Sequence, residues 1–178
     1  MIIIGDNLKE LIVQHKITTG NTGYDVNSIT LTLDEQIITI RPDPGAEVCY
    51  ESKEIPEKWL KRTQVGRDGF RLEARNAVLG CSCEVVQMPC GYCGFVQTKG
   101  SLARLFVSVV CCDSQIEPGY SGKITFELCN LGNFPVRLCP NQAVAQLFIV
   151  RTSTRNCKLY NGRYQNAKGP TVSLPFKR

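Results

Sequence analysis

An all-β sandwich or barrel with one short N-terminal helix is the fold this sequence predicts, on three observations. Short apolar runs alternate at period two, as half-buried strands do. Gly, Pro and Asn punctuate them at short intervals from Phe70 onward, which is the rhythm of a sandwich or barrel. The chain has 178 residues, 43% hydrophobic and 21% charged, enough to bury one ordinary core.

The elements follow in order. Asp6 is placed to cap a helix whose Leu8, Leu11 and Ile12 recur at helical spacing and which ends before Thr18-Thr19-Gly20. Ile29, Leu31 and Leu33 then alternate with Ser28, Thr30 and Thr32, and the β-branched run Ile37 to Ile40 follows, so two strands are expected before Pro42 and Pro44. Tyr50 to Asp68 holds nine charges and the single Trp59 and reads as a surface excursion with one helical turn. Seven further strands are expected: Phe70 to Ala74, Val78 to Val86, Gly94 to Thr98, Phe106 to Cys111, Lys123 to Cys129, Val136 to Cys139 and Ala143 to Arg151. The segment 152–178 lacks periodicity and is either a frayed end or a flap over a ligand.

Composition narrows the function classes. A net charge of +5 suits a phosphorylated ligand but falls short of a nucleic-acid-binding stripe. No apolar stretch approaches membrane-spanning length, and the start, Met1 to Asp6, lacks the basic and apolar regions of a secretory signal, so a cytoplasmic protein is expected, with no membrane partner. Its ten cysteines therefore read as reduced thiols. Cys81, Cys83, Cys90 and Cys93 lie within thirteen residues and could supply tetrahedral zinc, but the period-two spacing of Cys81 and Cys83 favours small core residues. Catalytic zinc of the deaminase type needs His-x-Glu, and the only histidine is His15, followed by Lys16 and Ile17.

Three places could carry chemistry. Lys99-Gly100-Ser101-Leu102-Ala103-Arg104 combines two cations, a hydroxyl and free amides, suited to a polyphosphate or equally to a solvated turn. Ile124, Phe126 and Leu128 share one strand face, so Glu127 projects from the other beside Thr125 and Cys129; it is a surface residue if that face is wet, a positioned base if it faces a cleft. The preceding Glu117-Pro118-Gly119-Tyr120 fits a type II turn that feeds this strand. Gln146 stands between apolar neighbours, so its amide must bind either a nucleobase or, as the residues alone favour, neighbouring backbone.

Gly100 to Arg104, Ile116 to Asn130 and Asn141 to Leu147 together resemble the dCTP deaminase branch of the dUTPase-like fold, and Tyr160 to Ser173 is similar to that branch's C-terminal flap. The resemblance implies a single domain over 1–178, a distorted β-barrel or jelly roll with a short N-terminal helix, 152–178 forming the flap over the nucleotide. It implies a homotrimer with active sites shared between subunits, and hydrolysis of dCTP to dUTP and ammonia without a metal at the base. By the same resemblance Glu127 is the general acid and base at C4, with Arg104 against that chemistry. Lys99, Gly100 and Ser101 take the phosphates, Thr125 and Gln146 contact the ligand, Glu117 faces the sugar, and Tyr160 and Arg163 reach the triphosphate. Mg2+ accompanies the triphosphate, without protein side chains as ligands.

Three departures mark this chain. Gly100 replaces a serine whose hydroxyl helps hold the attacking water, Asp113 stands where a small residue near the pyrimidine is usual, and Ala167 replaces a flap glutamine. The alternatives are a bifunctional enzyme that continues to dUMP and pyrophosphate with Asp113 orienting water, a dUTPase-like pyrophosphohydrolase with Glu117 orienting water at the α-phosphate, and a catalytically silent nucleotide binder.

Overall fold

The computed structural model describes residues 1–19, 23–51, 54–110 and 113–173. Cys111, Cys112 and the end of the tail, 174–178, lie outside them, so the predicted strand end at Cys111 and the last part of the predicted flap are not described. Helix α1 spans Gly5–His15 and buries Leu8 and Leu11, as the spacing predicts. The expected cap is corrected: extended Ile4 takes the N-cap position and no side chain caps. Asp6 sits instead in the first turn, where its charge faces the positive end of the helix.

Eleven strands follow among the described residues: β1 (Ile29–Thr32), β2 (Gln36–Ile40), β3 (Leu60–Gln64), β4 (Phe70–Leu72), β5 (Ala77–Gln87), β6 (Tyr92–Thr98), β7 (Val107–Ser108), β8 (Gln115–Ile116), β9 (Ser121–Asn130), β10 (Val136–Leu138) and β11 (Ala143–Arg151). A 3-10 turn, Glu57–Trp59, precedes β3, and a four-residue helix α2, Gly100–Ala103, precedes β7. The strands form antiparallel sheets in the orders β1-β11-β6-β8 and β3-β2-β5-β9-β7, with β10-β4 as a separate pair. The sheets do not close into a barrel; the layout is jelly-roll-like.

One core joins α1 to both large sheets. Phe126 and Leu128 from β9, Leu147 and Ile149 from β11, and Ile29 and Leu31 from β1 are all fully buried. Each such side chain stabilises the fold by roughly 1.5–3 kcal/mol through burial.

Four predictions change. β3 was hidden in the charged excursion, because Leu-Lys-Arg-Thr-Gln has no apolar face; pairing with β2 along its whole length makes it a strand. Trp59 is buried rather than displayed, its indole Nε1 donating to Asp43 Oδ2 at 3.0 Å. The strand expected over 106–111 shrinks to β7, since Phe106 has left-handed backbone (φ 59°). β8 has only two residues, too few for a periodic signal.

Candidate active site

β9 carries the central residues. Phe126 and Leu128 point into the core, leaving Thr125 and Glu127 on the outer face, half-buried. Pairing with β5 sets Thr125 opposite Cys81 and Glu127 opposite Leu79, and the Glu127 amide donates to the Val109 carbonyl at 3.1 Å. The turn that feeds β9 has the predicted geometry: Tyr120 N–H donates to the Glu117 carbonyl at 3.1 Å, and Gly119 has φ 89°, the left-handed third position that favours glycine.

The tail runs over this turn and strand. Tyr160 N–H donates to the Pro118 carbonyl at 2.7 Å, and its ring lies 5.6 Å from that of Tyr120. Gln165 spans the turn, accepting from Ser121 N–H at 2.9 Å and donating to the Gly119 carbonyl at 3.0 Å. Ala167 forms a parallel bridge with Gly122 and accepts from Lys123 N–H at 2.8 Å. Thr171 then meets Thr125: the hydroxyls are 2.9 Å apart and Thr171 N–H donates to Thr125 Oγ1 at 3.1 Å. Arg163 lies over the Tyr164 ring at 5.6 Å. From Tyr160 to Thr171 the segment is therefore docked on the turn and β9 rather than frayed, while residues 153–159 are exposed.

A second group gathers at the α2 end of β6. Lys99 Nζ is 3.7 Å from Asp25 Oδ2, and the same oxygen accepts from Gln146 Nε2 at 3.4 Å. Gln146 also donates to Ser28 Oγ at 3.1 Å, so the expected backbone partner is corrected to two side chains. Asp25 thus ties two candidate ligand residues together, while Ser28 holds Gln146 alone. Gly100 and Ser101 open α2, and Arg104 Nη1 donates to the Gly100 carbonyl at 2.9 Å. A Cβ at Gly100 would lie 3.2 Å from that nitrogen, so the side chain missing at position 100 leaves room for the guanidinium. Asp113 is exposed, and its carboxylate accepts from Gln115 N–H at 3.3 Å.

Beneath the tail lies a buried polar layer that the sequence did not announce. Lys123 Nζ pairs with Asp34 Oδ2 at 2.5 Å, both side chains mostly buried. Burial alone would lower the lysine's pKa, but the Asp34 carboxylate outweighs it and the net shift is upward. Burial pushes the Cys81 thiol up to about 12, with Asp34 adding to the shift, so Cys81 is no nucleophile at neutral pH. The Tyr120 phenol is also raised, first by burial and then by Tyr160 and Glu117; its hydroxyl donates to the Lys123 carbonyl at 2.8 Å. The four cysteines of the zinc reading separate: Cys83 Sγ donates to the Leu33 carbonyl and Cys90 Sγ to the Arg155 carbonyl. Among the described residues no three His, Cys, Asp or Glu side chains are grouped to hold a metal.

A protein-family model described as dCTP deaminase-like matches residues 2–152. The chain belongs to the dCTP deaminase-like family. Curated relatives named "dCTP deaminase, dUMP-forming" include that of Parafrankia sp., 35% identical over 117 residues, which are 63% of this chain and 58% of the relative. That of Acidothermus cellulolyticus is 34% identical over the same length, covering 61% of the relative. The chain thus spans about three-fifths of the relatives' length. A solved 2'-deoxycytidine 5'-triphosphate deaminase from Agrobacterium tumefaciens superposes with a TM-score of 0.62 at 17% identity, over 85% of this chain and 48% of that one. EIAV dUTPase does so with 0.52 at 15%, over 82% of this chain and 96% of that one. These two likenesses establish the shared fold. The relatives' names overturn one expectation, that the reaction stops at dUTP, because they are named for forming dUMP.

Within a dCTP deaminase-like chain the departures acquire a local setting. Ala167 docks through its backbone, so that contact needs no particular side chain. No helix among the described residues is long and apolar enough to cross a membrane.

Proposed function

We propose that this protein converts dCTP and two waters to dUMP, ammonia and pyrophosphate. The observation that carries the reading is the placement of Glu127, a mid-strand carboxylate on the outer face of β9, next to the Thr125 hydroxyl that the tail covers through Thr171. Glu127 takes a proton from the water that attacks C4; the tetrahedral centre collapses as the C4–N4 bond breaks and the amine leaves protonated as ammonia. Asp113 orients that water in place of the hydroxyl absent at Gly100, and Arg104 stabilises the charge on Glu127. A second water, oriented by Glu117, attacks the α-phosphorus and expels pyrophosphate.

Lys99, Ser101 and the α2 amides hold the triphosphate, with Asp25 presenting Lys99 and Gln146 together. Tyr160 and Arg163, on the tail that serves as a flap, close on it. The donors here are cations and hydroxyls, which fits Mg2+ arriving on the triphosphate with phosphate and water ligands. The active protein is a homotrimer whose sites are completed across subunits. Supporting this, Leu105, Phe106, Leu131 and Phe134 are 41–60% exposed around the β7 end, where Leu131 N–H donates to the Phe106 carbonyl, an apolar patch that a second copy would cover.

The test is incubation with dCTP and with dUTP in magnesium, with nucleotides resolved by ion exchange and ammonia and pyrophosphate assayed separately. Equal ammonia and pyrophosphate from dCTP, with dUMP as the nucleotide product, is expected. Pyrophosphate from dUTP without ammonia from dCTP would replace the proposal with a pyrophosphohydrolase, and no product from either with a silent nucleotide binder.

A further inference from the structure

The turn that follows β11 forms a half-open pocket of about 130 Å3 with the β5–β6 connection, lined by Gly91, Tyr92, Arg151, Ser153, Thr154 and Arg155 as well as Thr152. Arg151 lies five residues beyond Gln146, about 16 Å along an extended strand, so this is not the Lys99–Gln146 cluster. The lining holds two guanidinium groups, four hydroxyl-bearing residues (Tyr92, Thr152, Ser153 and Thr154) and no carboxylate.

Both arginines are seated. The Arg155 stem lies on Gly91, where a Cβ would come within 2.9 Å of its Cγ and 3.4 Å of its Nε; Gly91 has φ +84°, so glycine serves both the turn and the close approach. The Arg151 guanidinium stands 5.8 Å from the centre of the Tyr92 ring. Among the described residues neither guanidinium has an ion pair or a hydrogen-bonded acceptor. The walls are fastened to each other: Thr152 N–H donates to the Gly91 carbonyl at 2.9 Å and Cys90 Sγ to the Arg155 carbonyl at 3.0 Å. Within the turn, Thr152 Oγ1 donates to the Thr154 carbonyl at 2.6 Å and Asn156 N–H to Thr154 Oγ1 at 3.0 Å. These bonds shape the turn, and among the described residues none of them uses the Ser153 amide or hydroxyl.

Two arginines in the lining of one small pocket, with hydroxyl-bearing neighbours and no carboxylate among them, match the oxygens of a phosphate group. We propose that this cavity is a second anion site, which takes a compact phosphate-class ligand: inorganic phosphate, pyrophosphate or the terminal phosphate of a nucleotide. The site stands on its own residues and needs no deaminase activity.

Calorimetric titration of the full chain with inorganic phosphate, pyrophosphate and a nucleoside monophosphate (AMP), at constant ionic strength in chloride, tests it. Binding that weakens at least about tenfold in Arg151→Gln/Arg155→Gln, yet persists in Lys99→Ala, is expected. The tightest of the three anions identifies the source of the phosphate. Equal binding by the double variant, or no heat with any of the anions, overturns the proposal. Arg155→Gln alone, with its melting temperature in chloride matched to the parent, supplies the same comparison should the double variant fold poorly.

Discussion

Glu127 sits where a strand tolerates a carboxylate only if its face is wet or carries a ligand. If it moves the protons at C4, Glu127→Gln lowers ammonia release from dCTP by about 10²–10⁴-fold while nucleotide affinity changes little, because the amide keeps the shape and loses the proton. Ammonia assay paired with equilibrium nucleotide binding checks this; a parallel loss of binding would reassign Glu127 to structure. Asp34 is the opposite case, a charge held by packing. Removing one partner of a mostly buried pair strands the other, so Asp34→Asn should cost roughly 2–3 kcal/mol in urea unfolding at neutral pH, given the 19% and 11% residual exposure of the pair. Lys123 has its pKa raised above the ordinary 10.5, so the stability it adds is fully present below that value and fades as pH rises through the higher folded one. The gap between parent and Asp34→Asn should therefore be constant from neutral pH to about 10 and narrow only above it.

Among the elements, β9 and the tail act together. The tail lies along β9 through backbone bonds at Asn166, Ala167 and Thr171, and Gln165 is the side chain that satisfies both sides of the feeding turn. Gln165→Ala leaves the Ser121 N–H and the Gly119 carbonyl without this partner, at about 1–3 kcal/mol of local stability. Hydrogen exchange should then quicken at the amides of Asn166 and Lys123 while those of β11 stay protected. Uniform acceleration across both would mean that the tail is part of the global fold rather than a separately opening flap. The same logic explains β3: a polar strand forms because β2 offers a full edge, and its own side chains contribute little.

At the scale of the whole molecule, one core fixes both sheets, and the apolar surface left over lies near β7. Phe106, 60% exposed, is the test residue. If the sites are shared in a trimer as proposed, Phe106→Glu should convert the trimer to monomers by light scattering and abolish dUMP formation; a monomeric parent chain would remove the shared-site proposal at once.

The sequence alone determined the all-β class, the helix of α1, the major strands and the facing of Glu127, because each rests on a local period that survives burial. The three ordered motifs also make the family legible in the sequence. Tertiary structure decided what those periods cannot encode. Asp25 and Ser28 meet Gln146 across 121 and 118 residues, and Lys123 meets Asp34 across 89. The flap motif is visible in the sequence, but the docking of the tail on β9 through Asn166, Ala167 and Thr171 is not. Trp59 is drawn inward by an aspartate that its charged neighbours conceal. Side-chain facing is a property of one strand, but partnership belongs to whatever the folded chain brings alongside it.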